Sequence, residues 1–337
     1  MRKLATIQKI TNLESIPNAD RIEVASVLGW KCIVRKGEFK IGDKCVYFEV
    51  DSWLPLEQEF EFLRKSCYKK NENGEGFRIK TIRLKHQISQ GLCMPISTFA
   101  LEDKEIGEDV TELLRVNKYE PVIPACIAGI AKGMFPSFLC KTDEDRCQIL
   151  QDTLTKYKGI KCYRSEKCDG SSISYFMKDG NFGVCSRNLE LKETEGNTPW
   201  QLAREYDLEN KLKEMGNIAL QGELIGMGIN KNRLKLGSAK VLFFNVFDID
   251  KHKYLDFEDF KKTIEKLGLE TVPILDTNYI LNDDIDELIE QSKGVSVLNN
   301  SIQREGIVIR PLQEQIIEIG RFTFKTINPE YLIKYSE

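Results

Sequence analysis

Lys167-Cys168-Asp169-Gly170, followed by Ser171 and Ser172, places a primary amine just ahead of an Asp-Gly pair. A deprotonated lysine amine is a nucleophile, and an enzyme that uses one carries its intermediate on the lysine nitrogen. The same short pattern also describes an ordinary exposed turn lysine, so the residues elsewhere in the chain must decide. Arg187 follows twenty positions later, and a guanidinium fork there could hold a phosphate. Glu223 interrupts the apolar run 218–226, where an unpaired carboxylate is costly unless it holds a cation or a hydrogen-bond donor. Residues 241–249 are rich in aromatics and could offer a ring to a base, although phenylalanines on a central strand are most often core. Glu305 heads a second apolar run, 306–309, and Lys325 lies between apolar neighbours twenty residues beyond it.

These side chains need elements to position them. Residues 162–166 and 172–176 read as two strands with Asp169-Gly170 as the turn, a hairpin with Lys167 at its mouth. Residues 1–118 read as mostly strand, with short runs at 22–28, 30–34 and 44–50 spaced as in a small barrel. The run 77–85 alternates basic and apolar side chains, which predicts one strand with a positive face. Between positions 64 and 85 eight basic residues (Arg64, Lys65, Lys69, Lys70, Arg78, Lys80, Arg83 and Lys85) face only Glu72 and Glu75. That excess suits a groove that tracks phosphates, and equally a solvated hairpin. Pro121, Pro124 and Pro136 with Gly129 and Gly133 break the pattern over 119–139, which marks a linker. Beyond it helix and strand mix, and residues 143–157 read as a helix capped by Thr142 with Glu144 and Asp145 in its first turn.

The composition bounds the rest. A chain of 337 residues with 41% hydrophobic content has room for two globular domains. A net charge of −3 makes any nucleic-acid site a local patch rather than a whole-protein field. Ten scattered cysteines with no C-x-x-C pair, and only two histidines (His86 and His252), predict a reduced intracellular protein, cytoplasmic or nuclear, without a structural zinc. No run approaches the ~20 apolar residues of a membrane span.

Taken in order, Lys-x-Asp-Gly (167–170), Gly-Glu-Leu (222–224), Phe-Asp-Ile (247–249), Glu-Gly-Ile-Val-Ile (305–309) and a lysine near the C-terminus resemble the covalent nucleotidyltransferase superfamily of polynucleotide ligases and capping enzymes. Only twelve residues follow Lys325, which leaves no room for the C-terminal OB domain of DNA ligases and capping enzymes. The segments 25–30, 36–43 and 47–55 instead resemble the N-terminal OB domain of RNA ligases of the Naegleria and Deinococcus type. The resemblance implies an α+β protein: an OB-fold β-barrel over 1–118, a linker over 119–139, and over 140–337 an antiparallel-sheet nucleotidyltransferase domain with flanking helices.

It further implies an ATP-dependent RNA ligase that seals 3′-hydroxyl/5′-phosphate breaks through a lysyl-AMP on Lys167, with Mg²⁺ or Mn²⁺ as cofactor. Glu166, Arg187, Glu223, Phe247, Glu305 and Lys325 would bind the nucleotide, with Phe247 stacked on adenine and Phe244 on the opposite face of its strand. Asp169, Glu223 and Glu305 would hold the metal or its water shell, and Lys80, Arg83 and Lys85 the nucleic acid. The implied partner is RNA as a nicked duplex, sealed by a monomer. Many relatives carry lysine where this chain has Thr323, which leaves Lys325 alone or with Arg321. An OB protein with an inactive nucleotidyltransferase half, a DNA ligase and a capping-type enzyme are the alternatives.

Overall fold

In the computed structural model, which describes residues 3–71, 74–85, 87–119, 129–318 and 320–335, contacts divide the chain into two units. One comprises residues 1–123 with 148–151 and 332–337, the other residues 124–147 and 152–331. Glu72, His86, Pro121 and Pro124 of the sequence reading lie outside the described residues.

The first unit is built on one long strand, Ala5–Ser15, whose N-terminal half pairs with Lys44–Phe48 and whose C-terminal half pairs with Ile22–Val27. An irregularity between Ile10 and Asn12 lets a single strand serve both partners, because a bulge bends and twists the strand that carries it. Leu92–Pro95 and Trp30–Arg35 complete a five-stranded antiparallel sheet, and a second sheet of four strands accompanies it. Alternate side chains point inward and fill two clusters, one around Ile7, Phe48, Phe60 and Phe77, the other around Trp30, Val34 and Tyr47. The single strand expected over 77–85 is not formed. Gly74–Arg78 ends at Arg78, and Ile82–Leu84 instead starts a separate hairpin with Gln87–Ser89. Burial still alternates from Phe77 to Thr81, with Arg78 paired to Asp51 and lying over the Tyr119 ring, but the ladder does not continue to Ile82.

The second unit holds a seven-stranded and a five-stranded sheet. Its strand ladders are antiparallel except for the short parallel match of Asp145–Arg146 with Phe324–Ile327, and Phe243 adds an isolated parallel bridge to Thr271. Helices Thr198–Glu205, Leu208–Lys213 and Phe257–Lys266 contribute Trp200, Leu208, Leu212, Phe257 and Phe260 to a core with Tyr175, Leu220 and Phe243 from the seven-stranded sheet. The Phe257–Lys266 helix shows why it forms. Phe257, Phe260 and Ile264 share one face, Glu258 and Asp259 complement its N-terminus, and Lys266 its C-terminus.

The strands on either side of Asp169-Gly170 do not form a hairpin: Lys161–Lys167 pairs with Gly306–Pro311 and Ile274–Ile280, whereas Ser171–Lys178 pairs with Asn181–Ser186 and Ile218–Ile225. The tripeptide Cys168-Asp169-Gly170 is therefore a crossing from one sheet to the other. Gly170 is needed for it, since a Cβ there would come within 2.3 Å of the Leu224 carbonyl oxygen. Nor is residues 143–157 one helix. Asp145–Arg146 joins the five-stranded sheet, residues 147–149 make a 3₁₀ turn, and only Gln151–Lys156 is α-helical. Thr142, expected as a cap, hydrogen-bonds to the Ser172 hydroxyl at 2.7 Å instead. Tertiary pairing outweighed the local helix signal.

Candidate active site

Lys167 is the last residue of the Lys161–Lys167 strand, so its side chain stands where the chain leaves one sheet for the other. A cavity of ≈ 390 Å³ opens there, and Glu166, Lys167, Asp169, Arg187, Glu223, Glu305 and Lys325 all line it. The structure thus brings together residues that span more than 150 positions of sequence. The ladder explains two of them directly: Lys167 pairs with Gly306, the neighbour of Glu305, and Val308 pairs with Lys325 on the next strand. A third, Glu223, comes from the Ile218–Ile225 strand, paired with Ser172 just past the crossing.

The amine of Lys167 donates to Glu305 Oε1 at 2.6 Å. Burial alone would lower the amine's pKa, but the carboxylates of Glu305 and Glu223 outweigh it and hold the ammonium above its ordinary range. Burial, together with the charges of Glu305 and Asp169 and against the pull of Lys167, pushes Glu223 up to about 8. The second Glu305 oxygen, Oε2, is buried without a partner. Lys325 moves the other way: burial, helped by the positive charges of Lys167 and Arg146, lowers it to about 8. Crowded carboxylates, an orphaned carboxylate oxygen and a buried lysine together describe a place built for a bound charge that is not protein.

Glu166 accepts from the Val297 amide at 2.8 Å through Oε2, while Oε1 is buried and unpartnered; burial raises its pKa. Arg187 is half exposed and pairs with Asp143. Asp169, expected among metal ligands, is held by protein donors: Arg233 Nη1 at 3.0 Å and the Tyr331 hydroxyl at 2.5 Å both donate to its Oδ2. Among the described residues no group of three or more His, Cys, Asp or Glu side chains is close enough to hold a metal ion by itself.

The aromatic expected at the site is corrected. Phe247 is only 1% exposed, packs with Phe176, Leu139 and Tyr254, and lines a different cavity. The ring that lines the Lys167 cavity is Phe244. Alternation along Lys240–Asp248 would put the two on opposite faces, but the pairing with Ile218–Ile225 slips by one residue between Gln221 and Gly222. Phe244 is the extra residue of that bulge, so Val241, Phe243 and Val246 share the helix-covered core while Phe244 and Phe247 both turn away from it.

The sequence reading also missed the buried pair of Arg310 and Glu144, in which Glu144 Oε1 accepts from both Arg310 and, at 3.4 Å, the Thr323 hydroxyl. Both line the Lys167 cavity, and Arg310 lies 5.4 Å from the Phe244 ring centre. A basic residue closing the apolar run 306–309 was the available signal for Arg310; nothing in the sequence marked Glu144 once it was read as a helix start. Thr323 and Arg321 line the second cavity instead, Arg321 bound to Glu314 and Asn245. Lys325 is the cation that this strand gives the Lys167 cavity. In the first unit, Lys80 is half-buried while Arg83 and Lys85 are exposed around the Ile82–Leu84 hairpin. Arg64, Lys70 and Arg78 of the expected basic patch are paired with Glu61, Glu75 and Asp51.

An OB-fold domain family model matches residues 4–96, and an RNA ligase family model matches residues 161–327. Among curated proteins no significant match is found. Among solved structures, Naegleria gruberi RNA ligase is similar throughout. A lysine-to-alanine variant with ATP and Mn has a TM-score of 0.92 at 38% identity, covering 99% of each chain. The enzyme with PPi gives 0.91 at 38%, covering 100% of this chain and 99% of the other. A glutamate-to-alanine variant with AMP and Mn gives 0.92 at 38%, again covering 99% of each. With an N-terminal OB fold, an antiparallel-sheet domain around Lys167 and this likeness over the full length, the chain belongs to the RNA ligase family of enzymes.

Proposed function

We propose that the protein is an ATP-dependent RNA ligase that seals a 3′-hydroxyl to a 5′-phosphate through an AMP carried on Lys167. The observation that carries this reading is the amine of Lys167 set 2.6 Å from Glu305, on the rim of a cavity shared by Glu223, Arg187 and Lys325. The reaction is three displacements at phosphorus, favoured by alignment and charge neutralisation more than by proton transfer. Lys167 takes AMP from ATP and releases pyrophosphate, the 5′-phosphate of RNA takes AMP from Lys167, and the 3′-hydroxyl displaces AMP. Arg187 and Lys325 supply positive charge to the phosphate that changes hands.

Lys167 must lose its proton before it attacks, yet the free site holds the ammonium in place. The buried Glu223 carboxyl, raised by burial and by its acidic neighbours, and the unpartnered Glu305 oxygen fit a divalent cation, and two carboxylates completed by phosphate oxygens is the pattern in which Mg²⁺ is commonly held. When bound, such a cation neutralises phosphate charge and competes with Lys167 for Glu305. Asp169, tied to Arg233 and Tyr331, is then better placed to fix the sheet-to-sheet crossing than to ligate the ion.

Recognition of adenine fits the same cavity. Phe244 and Val308 line it as apolar surfaces, and the unpartnered Glu166 Oε1 can accept from an exocyclic amine. Guanine carries a carbonyl at that position, which would leave two acceptors facing each other. Residues 1–118 serve as the nucleic-acid-binding OB domain, with Lys80, Arg83 and Lys85 against the backbone of a nicked duplex, and 140–337 as the ligase domain; the stretch 119–139, expected as a linker, also gives that domain's seven-stranded sheet the strand Ala131–Met134. No helix among the described residues is long and apolar enough to cross a membrane. The test is labelling of the protein by ATP or GTP radiolabelled at the α-phosphorus, followed by sealing of nicks with RNA or DNA on each side. ATP labelling with sealing at RNA ends supports the reading; labelling by GTP alone, or no sealing of RNA, overturns it.

A further inference from the structure

The segment Thr142–Glu144 has cavities on both sides. It walls the Lys167 cavity, and the same three residues line a second one of ≈ 320 Å³ in the same unit. No role assigned above uses that second space. Its floor is a fixed aromatic platform: Arg321 lies 3.6 Å from the Tyr254 ring centre, Phe247 packs on Tyr254 at 4.9 Å, and His252 stands against Phe247 at 5.2 Å with the rings nearly perpendicular. Arg321 is itself locked by Glu314 and Asn245, so the platform is held in place before any ligand arrives.

Charge distinguishes the rim from the floor. Three of the acidic side chains at this cavity are committed to arginines: Glu144 to Arg310, Glu314 to Arg321 and Asp143 to Arg187. Lys141 donates to the neutral amide of Asn188 at 2.9 Å, and Lys253 is exposed beside His252. Aromatic surface below and ammonium groups above are what a single-stranded nucleotide meets in its binding proteins, the base on the ring and the phosphate on the cation. The volume matches one nucleotide rather than a helix or a strand.

We propose that this second cavity seats one nucleotide of the RNA being joined, its base against His252 and the Arg321–Tyr254 stack and its phosphate on Lys141 and Lys253. The proposal rests on the ligase reading above and deepens it. The shared wall would bring the end of an RNA strand next to the adenylate on Lys167, ready for the second and third displacements. The nucleotide belongs either to the 5′-phosphate strand or to the 3′-hydroxyl strand, since both carry the same chemistry.

The paired variant His252→Asn/Lys253→Ala tests it. Asparagine tolerates the left-handed backbone of His252, at φ 50°, and both side chains are exposed, so the fold is preserved. Three rates are read on the full chain: labelling by α-radiolabelled ATP without RNA, AMP transfer to a 5′-phosphorylated nick, and sealing of a pre-adenylylated nick. The expected result is unchanged labelling and a loss of about tenfold in a later step, restored in part by Lys253→Arg. A loss in AMP transfer assigns the 5′-phosphate strand; a loss confined to sealing assigns the 3′-hydroxyl strand. Unchanged transfer and sealing would overturn the proposal and leave the ligase reading intact, as would an equal fall in all three rates, which would assign the cavity to ATP. Absence of labelling in the unaltered protein would instead overturn the ligase reading itself.

Discussion

Glu305→Gln removes the charge nearest Lys167 and keeps the shape of the side chain. In the free protein the two groups are 2.6 Å apart, and the amine is held above its ordinary range because Glu305 and Glu223 outweigh burial. An opposite charge at such a distance is worth roughly 1–3 pKa units, or about 1.4–4 kcal/mol between the two protonation states. The sign follows from which form the carboxylate favours. It stabilises the ammonium, so its loss lowers the amine's pKa and raises the neutral fraction at fixed pH by roughly ten- to a thousandfold. Pulse acetylation across a pH series in the presence of a chelator, with the Lys167 peptide quantified by mass spectrometry, reads that fraction directly. The midpoint of the variant should fall by about 1–3 units while those of exposed lysines stay put. An unchanged or higher midpoint would refute the claim that Glu305 controls the charge of Lys167.

Three further outcomes follow from the geometry. Glu223, at about 8 in the folded chain against an ordinary 4.5, binds more protons folded than unfolded, so its contribution to stability is complete below about 4.5 and lost as pH rises through about 8. In chelator the melting temperature should therefore fall between pH 5 and 8 more steeply than in Glu223→Gln, and Mn²⁺ should raise it only in the unaltered protein; parallel profiles would contradict a Glu223 that takes up its proton on folding. Phe244→Ala should raise KM for ATP by roughly tenfold or more with little change in stability, while Phe247→Ala should cost about 3–5 kcal/mol in urea unfolding and leave KM nearly alone. The reverse pattern would restore Phe247 as the stacking ring. Glu144→Gln leaves Arg310, 2% exposed, without its counter-charge and should cost about 3–5 kcal/mol by the same unfolding assay.

How much of this was legible in the sequence depended on whether a signal was local. Glu223 and Glu305 announced themselves as carboxylates in apolar runs, and both stand at the Lys167 cavity because neighbouring strands carry them there. The strands themselves at 218–225, 240–248 and 306–311 follow their apolar patterns. What failed was pairing. Asp169-Gly170 reads as a hairpin turn, yet nothing local tells a chain whether to fold back or to cross to another sheet, and here long-range ladders on both sides decide. Phe247 failed for a similar reason: a one-residue bulge at Phe244 reverses alternation, and it shows only in the register with the partner strand. Residues 143–157 carry helix-start chemistry, but Asp145–Arg146 is taken by the Phe324–Ile327 strand, which lies far away in sequence. Glu144 and Arg310 became visible together, since each makes sense only opposite the other.

The central claim is that AMP travels on Lys167. Incubating the protein with ATP and Mn²⁺ in the absence of RNA, then mapping the modified peptide by mass spectrometry, tests it most directly. An acid-labile adenylyl group is expected on Lys167 nitrogen, discharged by added pyrophosphate and absent from Lys167→Ala and Lys167→Arg, whose guanidinium stays protonated. An adenylyl group on any other residue, or one that persists in Lys167→Ala, would contradict it.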